Sequence, residues 1–324
     1  MSRLFGRKEP RTVLYFATDL HGSEKCFRKF LNGGKVYRPD VMVLGGDVAG
    51  KAIQELTRTT GSTYECTFRG VRYELEHGSA LTELEQLIAD FGYYPHRAEF
   101  GELEARQAEG KMEELFTELM YNRLSRWMQL ADERLRPLGI PAYWMLGNDD
   151  PTELEAALRD APWGTLCDGQ VLQLESQHEL LSLGYSNVTP WNSYRELSEE
   201  EMERRLNALC EQLVDPARAI FNLHVPPYDS GLDEAPALDA DLKVQSAAGQ
   251  TRMVPVGSTA VRKVIAQVQP LLGLHGHVHE SSGFRQIGRT ICINPGSDYG
   301  TGILNGFIAT LEADRVRVHQ FVRG

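Results

Sequence analysis

The sequence predicts an α/β fold, and three observations support this prediction. Short apolar runs recur along the chain between helix-like stretches, as expected for strands that a sheet buries on both faces. Each run ends in polar residues, and open α/β sheets place their ligand sites at the carboxyl ends of their strands. The length of 324 residues suits one large α/β domain or two ordinary ones.

Five apolar runs predict buried strands, at residues 13–17, 41–44, 142–146, 219–223 and 271–274. The first run is followed by a predicted helix over residues 23–31, with Ser23 as its cap and the Asn-Gly-Gly segment at 32–34 as its stop. The tail, residues 283–322, alternates short apolar runs with Gly and Asp turns, and this pattern predicts antiparallel strands.

A long stretch separates the second and third runs, and we interpret residues 51–140 as an insertion within a single domain that covers residues 1–324. The insertion is expected to contain a hairpin of residues 63–68 and 71–76 and two helices, over residues 81–91 and about 99–135. The second helix carries many charges beside a stripe of Leu, Met and Trp, which is typical of an amphipathic helix with a solvated face. A lid or a dimerisation element is the alternative.

The composition is that of a globular protein and limits its partners. Hydrophobic residues make up 42% and charged residues 24%, which excludes wholesale disorder. With 34 basic and 45 acidic residues, the formal net charge is −11. This charge argues against a protein that grips nucleic acid through a broad basic face, but it permits a local site that binds phosphate through metal ions.

The cysteines and the apolar runs favour a cytoplasmic location. The five cysteines are scattered and include no C-x-x-C pair, so they predict reduced thiols and neither a disulfide scaffold nor a zinc finger. The N-terminal residues 1–11 lack the apolar region of a signal peptide. No apolar stretch approaches the roughly 20 residues that would span a bilayer, so we expect no membrane partner.

Five polar motifs follow the five runs, and each is weak when taken alone. In chain order they are D-x-H at 19–21, G-D at 46–47, G-N at 147–148, a histidine at 224 and G-H-x-H at 276–279. Each could be a turn, a helix entry or a strand-end histidine with a backbone partner. The last motif is the strongest, because three histidines within five residues are seldom left in a core without a partner. Of these three, His275 either orients a ligand histidine or is structural.

Taken together, the ordered motifs resemble the signature of the calcineurin-like metallophosphoesterase superfamily. The resemblance extends from Asp19 to His279 and reaches the Asn-Pro-Gly-Ser segment at 294–297. It implies a four-layer αββα sandwich of two mixed β-sheets flanked by helices, with a helical and hairpin insertion. It also implies a metal-dependent phosphoesterase, which hydrolyses a phosphodiester or phosphomonoester bond by attack of a bridging metal-bound water or hydroxide.

Carried over position by position, the resemblance implies a centre of two divalent metal ions. The implied ligands are Asp19, His21 and His279 for the first metal, Asn148, His224 and His277 for the second, and Asp47 as the bridge. Imidazole and carboxylate ligands suit Mn, Fe, Zn, Co or Ni better than Mg or Ca, and Mn is the metal we expect. The neutral amide of Asn148 leaves the loaded site a net positive charge, which attracts phosphate.

One position departs from the common pattern. Many members of the superfamily have a histidine after the asparagine, where it contacts phosphate and can protonate the leaving group, but this chain has Asp149. An ionised carboxylate there would repel a dianionic monoester more than a monoanionic diester, and a protonated one could act as a general acid. We therefore name Asp149, with Asn148, as a candidate catalytic residue. The alternative is that Asp149 only caps the helix that follows.

The leading prediction is an enzyme that acts on a small phosphate ester, with a phosphodiesterase preferred over a phosphomonoesterase. A nuclease of the same superfamily is the first alternative, and the acidic composition counts against it. A non-catalytic scaffold is the second, and the intact ligand positions count against it. Basic residues that bind the substrate cannot be identified from the sequence, but residues 51–140 are where we would look for them and for a homo-oligomer contact.

Overall fold

Two six-stranded β-sheets form the centre of the computed structural model, which describes residues 11–174, 177–247 and 249–324. The strands of the first sheet are, in spatial order, Val316–Arg323, Asn305–Leu311, Thr12–Ala17, Val41–Gly45, Ala142–Met145 and Thr165–Leu166. Those of the second are Gly283–Ile287, Thr290–Asn294, Leu272–Leu274, Ile220–Leu223, Glu179–Leu183 and Gln170–Gln173. Both sheets are mixed, since each has four neighbouring parallel strands and antiparallel strands beside them. The five predicted apolar runs are therefore confirmed as strands.

Seven α-helices lie in the described ranges: α1 (Glu24–Tyr37), α2 (Ser79–Asp90), α3 (Glu102–Ala108), α4 (Met112–Leu135), α5 (Glu155–Arg159), α6 (Glu199–Cys210) and α7 (Thr259–Val268). Helices α1, α4 and α5 pack on the outer face of the first sheet, and α6 and α7 pack on the outer face of the second. Side chains such as Phe16 from the first sheet and Ile220 and Leu274 from the second form a buried core between the sheets. These layers confirm the predicted αββα sandwich.

The shorter elements connect these layers. Strand pairs of two or three residues are Ser186–Asn187 with Glu196–Leu197, Glu234–Pro236 with Met253–Pro255, and Ser246–Ala247 with Gln250–Thr251. Single turns of 3₁₀ helix are Arg136–Leu138, Thr152–Leu154, Pro216–Arg218 and Tyr299–Thr301.

A separate four-stranded sheet lies between the second and third runs of the sequence. Its strands are, in spatial order, Val71–Glu76, Thr63–Phe68, Ile53–Arg58 and Tyr94–Glu99, and helix α2 covers it. The first two strands confirm the predicted hairpin, whose turn residues Arg69 and Gly70 have φ of 51° and 79°. This pair of left-handed residues matches the twist of the strands. That residues 51–140 are an insertion in a single domain stays a prediction.

Gly50 and Gly92 join this separate sheet to the first motif. A Cβ atom on Gly50 would lie 2.0 Å from the carbonyl oxygen of Gly92, and one on Gly92 would lie 2.2 Å from the carbonyl oxygen of His21. The Tyr94 hydroxyl also accepts a hydrogen bond from the Gly50 amide, at 2.8 Å. The backbones therefore touch at a point where only glycine fits.

The predicted end of the first helix is wrong. Ser23 does cap α1, because its side chain accepts a hydrogen bond from the Cys26 amide, but the helix continues through the glycines to Tyr37. Gly33 allows close packing on the sheet, since a Cβ atom there would lie 2.3 Å from Cε1 of Tyr15. The helix ends instead at Arg38, whose φ is 48°.

The predicted long helix over residues 99–135 is two helices, α3 and α4. Gly110 lies between them with φ of 70°, a conformation that an α-helix cannot contain. The strand Tyr94–Glu99, which precedes α3 and pairs in parallel with Ile53–Arg58, was not predicted. Its sequence contains a proline, a histidine, an arginine and a glutamate and no apolar run, so it lacks a local strand signal.

The structure bears on the predictions about the cysteines and about membrane-spanning helices. All five cysteines are free, and only Cys210 is not fully buried, which confirms the prediction of unpaired thiols. Among the described helices, none has the length and apolarity needed to cross a bilayer. Residues 1–10, which contain most of the N-terminal stretch examined for a signal peptide, lie outside the described ranges, and the cytoplasmic location stays a prediction.

Candidate metal centre

All seven predicted ligand side chains meet at one end of the sandwich. Three motifs follow strands of the first sheet and two follow strands of the second, so the carboxyl ends of five strands point to the same place. Each of the seven side chains has a nitrogen or oxygen atom within 4.0 Å of another member of the set. Five of the seven are buried, His277 is half-buried, and the side chain of His279 is 25% exposed. The prediction that they bind metal remains to be tested.

Asp19, His21 and His279 form the first group. The Nε2 atoms of His21 and His279 lie 3.0 Å apart, and Nε2 of His279 lies 3.4 Å from Oδ1 of Asp19. One potential ligand atom from each residue lies within 4.8 Å of the other two. This spacing leaves the three side chains facing one common point, as metal ligands do.

Asn148, His224 and His277 form the second group, around the amide oxygen of Asn148. Oδ1 of Asn148 lies 3.1 Å from Nε2 of His224 and 2.7 Å from Nδ1 of His277. Asp47 lies between the two groups, because Oδ2 is 3.5 Å from Nε2 of His21 and Oδ1 is 3.4 Å from Nε2 of His224. A carboxylate in that position can contact a cation in each group.

The backbone at the site is strained. Asp19, His21, Asp47 and His277 have φ of 54°, 41°, 49° and 65°, in the left-handed region that residues other than glycine rarely adopt. Each such residue costs about 1–3 kcal/mol, and strain of this kind concentrates at functional sites. Four of the seven predicted ligands thus have a backbone conformation that non-glycine residues rarely adopt.

The glycine before Asn148 permits a close approach between two motifs. A Cβ atom on Gly147 would lie 2.1 Å from Oδ1 of Asp47 and 2.4 Å from its amide nitrogen. The same holds for Gly276, where a Cβ atom would lie 2.3 Å from Oδ2 of Asp19. The glycines of the G-N and G-H motifs are therefore required by packing against a ligand carboxylate.

The electrostatics of the site favour bound cations. Burial lowers the pKa of both His21 and His277 to about 4, so these imidazoles are neutral at neutral pH, as metal binding requires. Burial also acts to lower the pKa of His224, but the carboxylates of Asp47 and Asp19 outweigh it and raise that pKa to about 10. A positive charge between these two carboxylates is therefore strongly stabilised.

Asp150 holds two ligand loops together, and the sequence analysis missed this role. The buried carboxylate accepts hydrogen bonds from the amides of Gly147, Val48 and Ala49, at 2.7, 3.0 and 2.8 Å. Burial and the nearby charge of Asp47 raise the pKa of Asp150 to about 7. No local pattern in the sequence distinguishes Asp150 from Asp149, because its partners lie in a separate loop.

The Asn-Pro-Gly-Ser segment supports the ligand loops from the second sheet. The side-chain amide of Asn294 donates to the carbonyl oxygens of Gly276 and Val278, at 3.2 and 2.9 Å. The Ser297 hydroxyl donates to the carbonyl oxygen of Asp19, at 2.7 Å. The Asn294 bonds fix the backbone on both sides of His277, and the Ser297 bond fixes the backbone at Asp19.

His275 contacts the backbone and does not reach the ligand set. Its Nδ1 lies 2.8 Å from the carbonyl oxygen of Leu223, the residue before His224, and its side chain is buried. Burial lowers the pKa of His275 to about 4, so the neutral ring donates from Nδ1. The imidazole thus connects the ends of two strands.

Asp149 lies beside the ligands and is bound by three side chains. Oδ1 accepts from Nδ2 of Asn148 and from the Ser193 hydroxyl, at 2.9 and 2.8 Å, and Oδ2 lies 2.7 Å from Nζ of Lys51. It is also close enough to His21 and Asp47 to form a third possible metal-binding group. The alternative of a helix cap is not supported, because neither the 3₁₀ turn Thr152–Leu154 nor α5 has a side-chain cap.

A cavity of about 670 Å³ opens over the predicted ligands. Its lining includes the charged side chains of Lys51 and Asp149, and more than half of the lining residues are apolar. The apolar residues of the lining include Val188, Pro190, Trp191, Leu238, Val254 and Val256. Trp191 is 62% exposed, so its ring is available to a ligand. A larger cleft of about 800 Å³ lies at the amino ends of the first-sheet strands and holds none of the predicted ligands.

The loop that carries Trp191 is fixed to the backbone of the predicted ligand Asn148. The Glu196 carboxylate accepts hydrogen bonds from the amides of Thr189 and Ser193, at 3.1 and 2.9 Å. The Arg195 amide donates to the carbonyl oxygen of Asn148, at 3.1 Å. An exposed indole on a loop held this way is preorganised for contact with a ligand.

Among the comparisons with known proteins, a solved structure from Thermus thermophilus shows a shared fold. No family model matches the chain. The uncharacterised protein MJ1162 of Methanocaldococcus jannaschii is 32% identical over 131 residues. The matched segment is 40% of this chain and 52% of that protein, so the chain spans about half the length of this relative. The solved structure of TT1561 of Thermus thermophilus is 13% identical, with a TM-score of 0.54 over 94% of this chain and 100% of that chain. YfcE, a phosphoesterase from E. coli, is 11% identical, with a TM-score of 0.30 over 95% of this chain and 98% of that chain.

Proposed function

We propose that this protein, whose fold and ordered motifs resemble those of the calcineurin-like metallophosphoesterase superfamily, is a metal-dependent phosphoesterase that prefers phosphodiesters. The observation that carries the proposal is the meeting of seven predicted ligand side chains from five strand ends. Four of these residues have a left-handed backbone, and a fold would not retain that strain without a use for it.

The residues present fit a pair of divalent metal ions. Asp19, His21 and His279 would hold one ion, Asn148, His224 and His277 would hold the other, and Asp47 would contact both. Neutral imidazoles and ionised carboxylates are the protonation states that such ions require, and this donor set suits Mn or a similar metal. When bound, the metals would supply Lewis acidity toward phosphate oxygens and an acidified water as the nucleophile.

The protein's own side chains would orient the ligand set. Nδ2 of Asn148 donates to Asp149 and to Ser193, at 2.9 and 3.1 Å, so the amide oxygen is the atom turned toward the two histidines. Asp150 fixes the two loops that carry Asp47 and Asn148. Preorganisation of this kind removes the cost of rearranging the site during the reaction.

The shape of the cavity supports a small diester. A diester carries a second organic group, and the apolar lining around Trp191 offers a surface for it beside the predicted metal ligands. The volume of about 670 Å³ suits a small ester better than a nucleic-acid duplex. The net charge of −11 also disfavours a nuclease.

The test is hydrolysis of bis(p-nitrophenyl) phosphate and of p-nitrophenyl phosphate by the Mn-supplemented protein. We expect the diester to be the better substrate, and His277→Ala and Asp47→Asn to lose activity on both. His77→Ala changes an exposed histidine outside the motifs and should keep full activity. Hydrolysis by the two ligand variants at the wild-type rate would refute the proposal. Less than one metal ion per chain after Mn supplementation would favour the scaffold alternative.

A further inference from the structure

Lys51 brings a positive charge to the rim of the predicted metal centre. It lies four residues after Asp47, and its side chain is 49% exposed in the cavity that Asn148 and His277 also line. Its ion-pair partner Asp149 has a carboxylate oxygen within 4.8 Å of ligand atoms of His21 and Asp47, which places the ammonium group close to the ligands. A basic residue of the stretch 51–140 thus lies where substrate phosphate would enter.

Asp149 holds the Lys51 ammonium in place. Oδ1 of Asp149 is occupied by Asn148 and Ser193, and the Asp149 amide donates to Oδ1 of Asp47 at 3.0 Å. Oδ2 is left for Nζ of Lys51, at 2.7 Å. An ammonium group has three N–H donors, and this contact takes one of them. The other two can donate into the cavity.

We propose that Lys51 contacts a phosphoryl oxygen of the substrate and that Asp149 is its positioning residue. The pair would supply the phosphate contact that a histidine makes in the common motif pattern. Lysine is a usual phosphate ligand, and its charge-assisted hydrogen bond is stronger than a neutral one. This inference rests on the proposed function for the identity of the substrate, but the contact can be tested through phosphate binding alone.

The test measures binding of inorganic phosphate to the Mn-loaded protein by titration calorimetry. Lys51→Met should weaken binding by about 10-fold to 100-fold, the value of one hydrogen bond to a charged group. Lys51→Arg keeps the charge and should recover most of the affinity. A wild-type protein that binds no phosphate, or a Lys51→Met variant within twofold of the wild type, would overturn the inference.

A double variant separates direct contact from mere neutralisation of Asp149. If Lys51 touches phosphate, then Lys51→Met combined with Asp149→Asn stays weaker than the wild type, because removing the repulsion of Asp149 does not restore the lost contact. If Lys51 only cancels the charge of Asp149, the double variant regains wild-type affinity, and the inference is overturned. Lys263→Met is the matched control, because Lys263 pairs with Glu203 at 2.5 Å and is 52% exposed, away from the cavity. It should bind phosphate as the wild type does.

Parallel hydrolysis assays separate this inference from the proposed function. Phosphate binding that depends on Lys51, in a protein that hydrolyses neither p-nitrophenyl ester, would support the contact and overturn the proposed function. Hydrolysis by the wild type together with unchanged phosphate affinity in Lys51→Met would overturn the contact alone. Thermal melts and the Mn content of each variant test whether the variant keeps its fold and its metal ions.

Discussion

Replacing Asp150 with alanine should lower both the stability of the protein and its affinity for metal. The side chain is fully buried, and its carboxylate accepts three backbone hydrogen bonds. Two of the donors follow Asp47 and the third precedes Asn148. One residue therefore positions the predicted bridging ligand and a ligand of the second group.

The size of the effect follows from the donors left without a partner. An unsatisfied buried amide costs about 1–3 kcal/mol, so Asp150→Ala should lower the free energy of unfolding by at least about 3 kcal/mol. Loss of a residue that orients metal ligands lowers metal affinity by about 10-fold to 100-fold. Asp150→Asn keeps one acceptor oxygen and should show a smaller loss of both.

The assay combines urea denaturation with Mn titration, and Asp233→Ala is the control. Asp233 is also fully buried, and it accepts the backbone amides of Asp229, Ser230, Gly231 and Gly257. Its donors flank none of the predicted ligands, so its loss should lower stability and preserve Mn affinity. Wild-type Mn affinity in Asp150→Ala, or an equal loss of affinity in Asp233→Ala, would refute the reasoning.

Three further predictions follow from the geometry. Gly147→Ala should lower Mn affinity at least about 10-fold by calorimetry, because the new Cβ atom would lie 2.1 Å from Oδ1 of Asp47. Gly78→Ala is the control and should leave Mn affinity unchanged, because a Cβ atom there would have no neighbour within 4 Å. Trp191→Ala should raise KM for the diester about 3-fold to 10-fold in steady-state kinetics, and an unchanged KM would contradict a role in binding. Burial lowers the pKa of His275 to about 4, so the metal-free protein should lose stability in urea titrations as the pH falls from about 6.5 to 4. Its stability above that window should not depend on this group, and a flat profile would contradict the assignment.

The sequence predicted the parts of the fold that local patterns determine. Apolar runs that end in polar residues mark a strand and its carboxyl end, so five strands and the order of the predicted ligands could be recognised without the structure. The predicted αββα sandwich of two mixed sheets is confirmed in the fold. The prediction that Gly33 helps to end the first helix was wrong. This glycine packs against Tyr15, a distant partner that no local pattern reveals.

The same limit applies to the predicted site. The ligands could be predicted from the sequence, but the residues that orient them could not. Asp150, for example, binds the backbone amides of Val48 and Ala49, which lie about 100 positions earlier in the chain. Lys51 carries no motif and becomes a candidate only when its contact with Asp149 is seen. Contacts that depend on folding back of the chain leave no periodic or compositional trace.

The glycine junction between the separate sheet and the first motif has a consequence for how the protein can evolve. Substitution of Gly50 or Gly92 would force two backbones apart next to His21, so these positions should tolerate almost no change. The outer strand Val71–Glu76 pairs with one neighbour only and is largely exposed. Mutations can therefore accumulate at the outer edge of this sheet and diversify the protein's surface, while the backbone at the predicted ligand His21 depends on two glycines at its inner edge.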